Sequence, residues 1–311
     1  MARQRIIYSS KLVKLGASSV LCGVQSATYG FELNRTDVNA FGKLSAYDRL
    51  LTQTPTINTE LQILAGDTNN PHNGGIVSKA NIMQATTSSA FDVMIGLANS
   101  TDDNADYTGG GNAITTQGNF VGSASAEASV GAFALINLSF EGSGMSVAAG
   151  TVGSVPAAAN AVTQEHVAVT FPAGHDLGGT AQSANMNTNI SREVIEKFGQ
   201  RYSNTRLVQF PSTASLTIEG LDTAHDVDYD LISKYSITNA GTKNSISFTI
   251  KEGVNSAGEG GTARTYGLVG ATTDSVSFNG GIGDNHTISA TFVASIGSAT
   301  DTTHNFNWAS T

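Results

Sequence analysis

A single cysteine in 311 residues, Cys22, leaves no partner for an intrachain disulfide and no set of thiolates for a zinc site. The fold therefore has to rest on burial and backbone pairing. Charge is also scarce: 13% of residues are Asp, Glu, Lys or Arg, about half the usual globular share of roughly 25%. Sixteen basic residues against 25 acidic ones give a net charge of −9, which disfavours a protein that grips phosphate backbones, because that affinity comes from clustered Lys and Arg. No apolar run approaches the ~18 residues of a membrane helix. Lys11 and Lys14 interrupt the N-terminal stretch, so a secretory signal is not expected there, and the chain is expected to be made in a cytoplasm.

Motifs of catalysis are missing as well. The six histidines stand at 72, 166, 175, 225, 286 and 304, never two or four apart, and no P-loop, HExxH or GxSxG occurs. Asp222, Asp226, Asp228 and Asp230 include the D-x-D-x-D opening of a calcium loop, but Leu231 stands where the loop needs Gly and Ile237 where it needs a bidentate Glu. These four carboxylates read better as caps on the first turn of a helix. No catalytic residue, no metal site and no cofactor is expected, and the chain is read as not an enzyme.

What the sequence does have is 34 glycines among abundant Thr, Ser, Asn and Ala, the mixture of strands joined by turns. It also contains itself twice. Gln25-Ser26-Ala27 matches Gln182-Ser183-Ala184 at an offset of 157, and the match runs without a gap to Leu50 and Leu207, with eight identities in 26 positions. Arg35 meets Arg192, Phe41-Gly42 meets Phe198-Gly199, and Arg49 meets Arg206. Beyond this block, Ile57, Leu61 and Ile63 alternate with polar residues, as do Ala214, Leu216 and Ile218, the period-two mark of a strand with one dry and one wet face. Later matches are weaker: Phe120-Val121-Gly122 on Leu268-Val269-Gly270 at offset 148, and Ile136 and Phe140 on Ile288 and Phe292 at offset 152.

The repeat divides the chain into a first domain at 1–147, a small-residue linker at 148–161, a second domain at 162–298 and a C-terminal tail at 299–311. Opening strands are expected near Arg5–Ser9 and His166–Thr170, and one short helix per half near Val77–Gln84 and Val227–Tyr235. Segments 99–112 and 253–262 read as acidic, Gly-rich hairpin tips. Between the repeated arginines lies a connection of equal length in both halves, longer than the two to five residues of an ordinary hairpin loop. Such a conserved length within one chain suggests a functional arm, bearing Arg35, Asp37, Phe41 and Arg49 in the first half and Arg192, Glu193, Phe198 and Arg206 in the second. The plainer alternative pairs the arginines with neighbouring carboxylates such as Asp37, Asp48 or Glu193. Trp308, the only tryptophan, follows a polar run and suits a tail that docks on a neighbouring molecule, although a terminus packed on its own domain fits too.

Gly23-Val24-Gln25-Ser26 with its strand, Arg35-x-x-Val38-x-x-Phe41-Gly42, a polar arm, Pro55 and the alternating strand Ile57–Leu64 together resemble the N-terminal half of bacteriophage tail tube proteins, over some 45 residues in each copy. The resemblance implies a mainly β fold of two tandem tail-tube-like β-sandwich or barrel domains, each with one short flanking helix. It further implies a virion protein, assembled in the host bacterial cytoplasm, in which three chains supply six positions of a ring and the rings stack into a conduit for DNA ejection. Implied partners are other copies of the chain, the tape-measure protein, tail-terminator or baseplate proteins, and double-stranded DNA that passes without specific binding; no membrane is implied. On the alternating strands, Glu60, Gln62, Thr217 and Glu219 become candidates for the lumen side. A baseplate hub or tube-terminating protein is the related alternative. From other classes, a secreted β-sandwich adhesin and a calcium-dependent carbohydrate-binding module share the low charge and high Thr/Gly content.

Overall fold

A computed structural model of the chain describes residues 11–16, 20–46, 48–66, 77–83, 90–97, 112–149, 152–153, 162–171, 180–199, 205–221, 243–254, 260–280 and 285–310. The fold is mainly β. In the first half the strands are β1 (Lys11–Leu15), β2 (Val24–Glu32), β3 (Arg35–Val38), β4 (Asp48–Leu51), β5 (Thr56–Leu64), β6 (Phe91–Leu97), β7 (Asn112–Ser129), β8 (Leu135–Gly142) and β9 (Gly144–Ala149), with helix α1 at Lys79–Met83. In the second half they are β10 (Val167–Thr170), β11 (Ala181–Asn189), β12 (Arg192–Val194), β13 (Arg206–Val208), β14 (Ser212–Leu221), β15 (Asn244–Val254), β16 (Gly260–Asn279), β17 (Thr287–Ile296) and β18 (Asn305–Ser310).

Pairings in the first half recur in the second. β7 pairs with β8, β8 with β5 and β5 with β2, while β6 links β1 to β7 and β9 lies on β7's other side. In parallel, β16 pairs with β17, β17 with β14 and β14 with β11, while β15 links β10 to β16 and β18 flanks β16. The two sets are fused where β11 pairs antiparallel with β7, from Ser183 opposite Ser129 to Asn189 opposite Ser123. One sheet thus runs β16-β17-β14-β11-β7-β8-β5-β2 across both halves.

Period-two patterning fixes which side of that sheet is dry. In β5, Ile57, Leu61 and Ile63 are buried with Thr59, and in β14 Ala214, Leu216 and Ile218 are buried. Against this face packs the second layer, and Leu15, Val93, Ile95 and Phe140 share one core with Phe248, Tyr266, Phe292 and Phe306, in which Phe91 meets Phe140 edge-on at 5.2 Å and Phe171 meets Phe292 at 6.2 Å. β7 and β16, 18 and 20 residues long, belong to both layers. Each bends at a glycine with positive φ, Gly118 at 64° and Gly270 at 66°, a conformation that costs other residues steric strain. A Cβ on Gly270 would also run into the Thr303 carbonyl.

Several expectations shift. The first described strand is Lys11–Leu15, the expected strand at Arg5–Ser9 falls outside the described residues, and β10 occupies the expected second position. α1 coincides with the first expected helix; residues 227–235, the four aspartates 222–230 and most of 99–112 lie outside the described residues. β15 and β16 advance into the expected tip at 253–262. The pairing also sets the later repeat at offset 152, not 148: Val121 faces Phe140 as Thr273 faces Phe292, and Gly118 corresponds to Gly270. The Phe-Val-Gly and Leu-Val-Gly strings are alike in residue type but occupy different register positions, because register there is set by the bulge.

The tail is the largest correction. Residues 305–310 form β18 on β16, the counterpart of β9 on β7, so 299–311 completes the second half. Trp308 is 3% exposed and meets Tyr266 edge-on, with ring centroids 5.3 Å apart. It is a core residue and not a docking group. The polar run before it is a turn, in which Asp301 Oδ1 accepts hydrogen bonds from the Thr303 and His304 N–H groups. Those bonds hold the Asp301 carboxyl below its usual range.

Candidate functional site: a polar sheet face, its edges and two arms

The outward face of the continuous sheet is polar from strand to strand. One row across seven strands, each residue opposite the next, reads Ser295, Thr213, Asn189, Ser123, Ser139, Glu60, Thr28. The row beneath it on the dry face reads Ala294, Ala214, Thr188, Ala124, Leu138, Leu61, Ala27. Glu60, Gln62, Thr217 and Glu219, singled out from the sequence, all stand on the wet side, with Leu61, Ile63, Leu216 and Ile218 in the core. Apolar side chains enter the wet face at Val293 and at strand ends, at Leu64, Leu135 and Leu221.

Charge contributed by the strands of this face has one sign. Alternation places Glu32, Glu60, Glu127, Glu141 and Glu219 on it and no Lys or Arg among the described paired residues. Glu219 Oε2 accepts a hydrogen bond from Ser183 across the strand pair, and Thr217 and Thr291 hydroxyls lie 3.1 Å apart. The ions that these strands contribute are acidic, and the one cation that meets them, Arg206 of the second arm, is buried against Glu141, so the face holds no exposed Lys or Arg among the described strand residues to grip phosphate and repels polyanions within about a Debye length, roughly 8–10 Å in ordinary salt.

Both arms are two-stranded hairpins leaving the same end of the sheet: β3–β4 follows β2, and β12–β13 follows β11. Phe41, Leu44 and Phe198 at their tips are fully exposed. Gly42 and Gly199, at matching places, take φ of 87° and 80°, so the two tips share a turn geometry. Of the first-arm residues, Arg49 Nε pairs with Asp37 at 3.0 Å, both well exposed, as the plainer reading held; Arg35 is exposed on β3. The second arm does something else. Glu193 is exposed, but Arg192 and Arg206 reach back into the first half.

Arg192 donates from Nε to the Val121 carbonyl at 3.1 Å and from Nη2 to the Ile82 carbonyl at 2.6 Å, and its guanidinium lies 5.3 Å from the Phe120 ring centre. Burial pushes its pKa down to about 10, opposed by Glu141 and assisted by Arg206, so it stays charged at neutral pH. Arg206 is 3% exposed; it pairs with Glu141 at 2.8 Å and donates to the Gly142 carbonyl at 2.9 Å. Burial lowers its pKa too, against the pull of Glu141. Glu196, not foreseen from the sequence, accepts the Thr54 N–H at 2.7 Å, which ties the second arm to the base of the first. These contacts lock the β11–β7 joint.

Among the described residues no group of three or more His, Cys, Asp or Glu could hold a metal ion, and no helix is long and apolar enough to cross a membrane. No protein-family model matches the chain, and no curated protein matches its sequence at a significant level.

Proposed function

We propose that the chain is a structural subunit of a phage tail tube, in which each half is one copy of a tail-tube-like β-sandwich flanked by a short helix. Three chains give six such positions around an axis, and stacked rings form a conduit for double-stranded DNA. The observation that carries this reading is the single sheet spanning both halves, wet on one face with only acidic charges from its own strands, dry on the other. A wall for a moving polyanion needs that combination: a surface that does not hold phosphate, backed by a packed layer.

Geometry favours repetition of the same joint. Among the described strands, the sheet ends at β2 on one side and at the outer segment of β16 on the other, and each end has no described partner strand. Closing such ends on each other around a ring removes both edges, and head-to-tail contacts of this kind either close or run on indefinitely. The arms, with bare phenylalanines at one end of the sheet, suit contacts between successive rings.

Negative-stain microscopy of the purified chain tests the reading. Rings or hollow rods with a mass of three chains per ring are the expected result. A monodisperse single chain at every concentration would reject it. High copy number in a virion separates a tube protein from a hub or tube-terminating protein.

A further inference from the structure

We infer that the joint between two copies is closed by an ion pair whose acid has moved one strand: Asp274 of one copy takes Arg49 of the next, in the place that Glu141 and Arg206 occupy within the chain. This rests on the ring-subunit reading above. The β11–β7 joint supplies the template. β2 corresponds to β11 at offset 157, and β16 corresponds to β7 at offset 152 through matching glycines, bulges and partner strands. Transposing the joint sets β2 of one copy antiparallel to β16 of another, with Gly30 opposite Ser277, Tyr29 opposite Phe278 and Phe31 opposite Val276.

Burial agrees with a strand missing there. Phe31 is 58% exposed, while its counterpart Thr188 is fully buried, and Tyr29 is half-buried where Met186 is fully buried. On the other strand Val276 and Phe278 replace Ala124 and Ala126 and are only half-buried. Within the chain the joint sets Met186 and Thr188 against two alanines; between copies it would set Tyr29 and Phe31 against Phe278 and Val276, a larger apolar contact per pair.

The charged part of the joint is kept by a swap. Arg49 is the counterpart of Arg206, but the counterpart of Glu141 is Val293, which carries no charge. The residue at the β7 bulge next to Glu141 is Gly122, and a Cβ placed on it would lie 3.4 Å from Glu141 Cγ and Oε1. The counterpart of Gly122 is Asp274, at the β16 bulge and exposed. An aspartate there extends over the Val293 position and puts a carboxylate where Glu141 has one. In the single chain Arg49 rests on Asp37, whose counterpart Val194 leaves Arg206 no such neighbour. Arg49 is thus held in its arm, exposed, until the next copy arrives.

Charge reversal tests the pair, in an Asp37→Asn chain so that only the partner copy's acid is at issue. Asp274→Lys and Arg49→Glu should each weaken self-association about fivefold or more in sedimentation, with unchanged melting temperature because both sites are exposed. The double variant should recover most of the loss. In a Cys22→Ala chain, Gly30→Cys with Ser277→Cys should form a disulfide between copies on oxidation; Gly30 has room for a side chain, and Gly30→Cys with Ser275→Cys should not. Assembled rings with no crosslink at 30/277, or with the shifted pair reacting instead, would overturn the joint and leave the tube reading standing. Rings with the expected crosslink but no rescue would overturn the ion pair. A chain that never self-associates would overturn the tube reading and the joint together.

Discussion

Single side chains divide here into those that build one half and those that fasten the halves together. Trp308 belongs to the first kind. Its replacement by Ala removes a fully packed indole and should cost about 3–5 kcal/mol of stability, read as a lowered denaturant midpoint; an unchanged midpoint would return it to the surface. Arg206 belongs to the second. Arg206→Ala breaks a pair in which Glu141 keeps partial access to water, so the expected loss is about 2–3 kcal/mol, at the lower end for buried pairs. Glu196 gives the pH signature. Its carboxyl is held below the usual range by the Thr54 N–H, so the folded state binds its proton less readily than the unfolded one. That contribution is complete above the ordinary glutamate value and disappears as pH falls through the lowered one. Glu196→Gln should therefore lessen acid destabilisation below about pH 4.5 and leave stability at pH 7–8 insensitive to pH; equal acid sensitivity in both proteins would contradict it. The arginines were legible as a repeated pair because identical spacing survives in both halves. Their partners were not, since Val121, Ile82 and Glu141 approach only through folding, some 65 to 110 residues away in sequence.

At the scale of elements, strand identity was readable wherever one face is wet and the other dry. β5 and β14 carry their orientation in the alternation itself. β18 was hidden because its burial pattern is nearly continuous, Asn305, Phe306, Trp308 and Ala309 all being buried, which removes period two from a short strand. The consequence is a reversed expectation for truncation. Removing residues 303–311 takes away an edge strand with Phe306 and Trp308, so the shortened chain should unfold at markedly lower temperature or accumulate insoluble. A shortened chain with full thermal stability that only fails to polymerise would support the docking tail instead. The bulges were illegible for a different reason: a glycine at 118 or 270 is one among 34, and nothing local distinguishes a glycine that turns a strand through two layers from one that tips a hairpin.

For the whole molecule, the acidic face is a property no single residue has. Glu60→Lys with Glu219→Lys should leave stability within about 0.5 kcal/mol, as surface substitutions do, because both side chains are exposed on the wet side. On the proposed tube function, the same change should make the assembled protein retain double-stranded DNA at low salt more than the parent does, measured by co-sedimentation; equal retention by both would remove charge from the account of the face. The recurrence of the strand order was legible from 26 aligned positions, whereas the joining of the two sets into one sheet was not, because β11 carries no mark of having two neighbours rather than one.

Since β7 and β16 each pass from the polar wall into the backing layer without a break, the two layers are stitched by covalent bonds and not merely pressed together by side chains. Peeling the wall from its backing would then require tearing out whole ladders of hydrogen bonds at once.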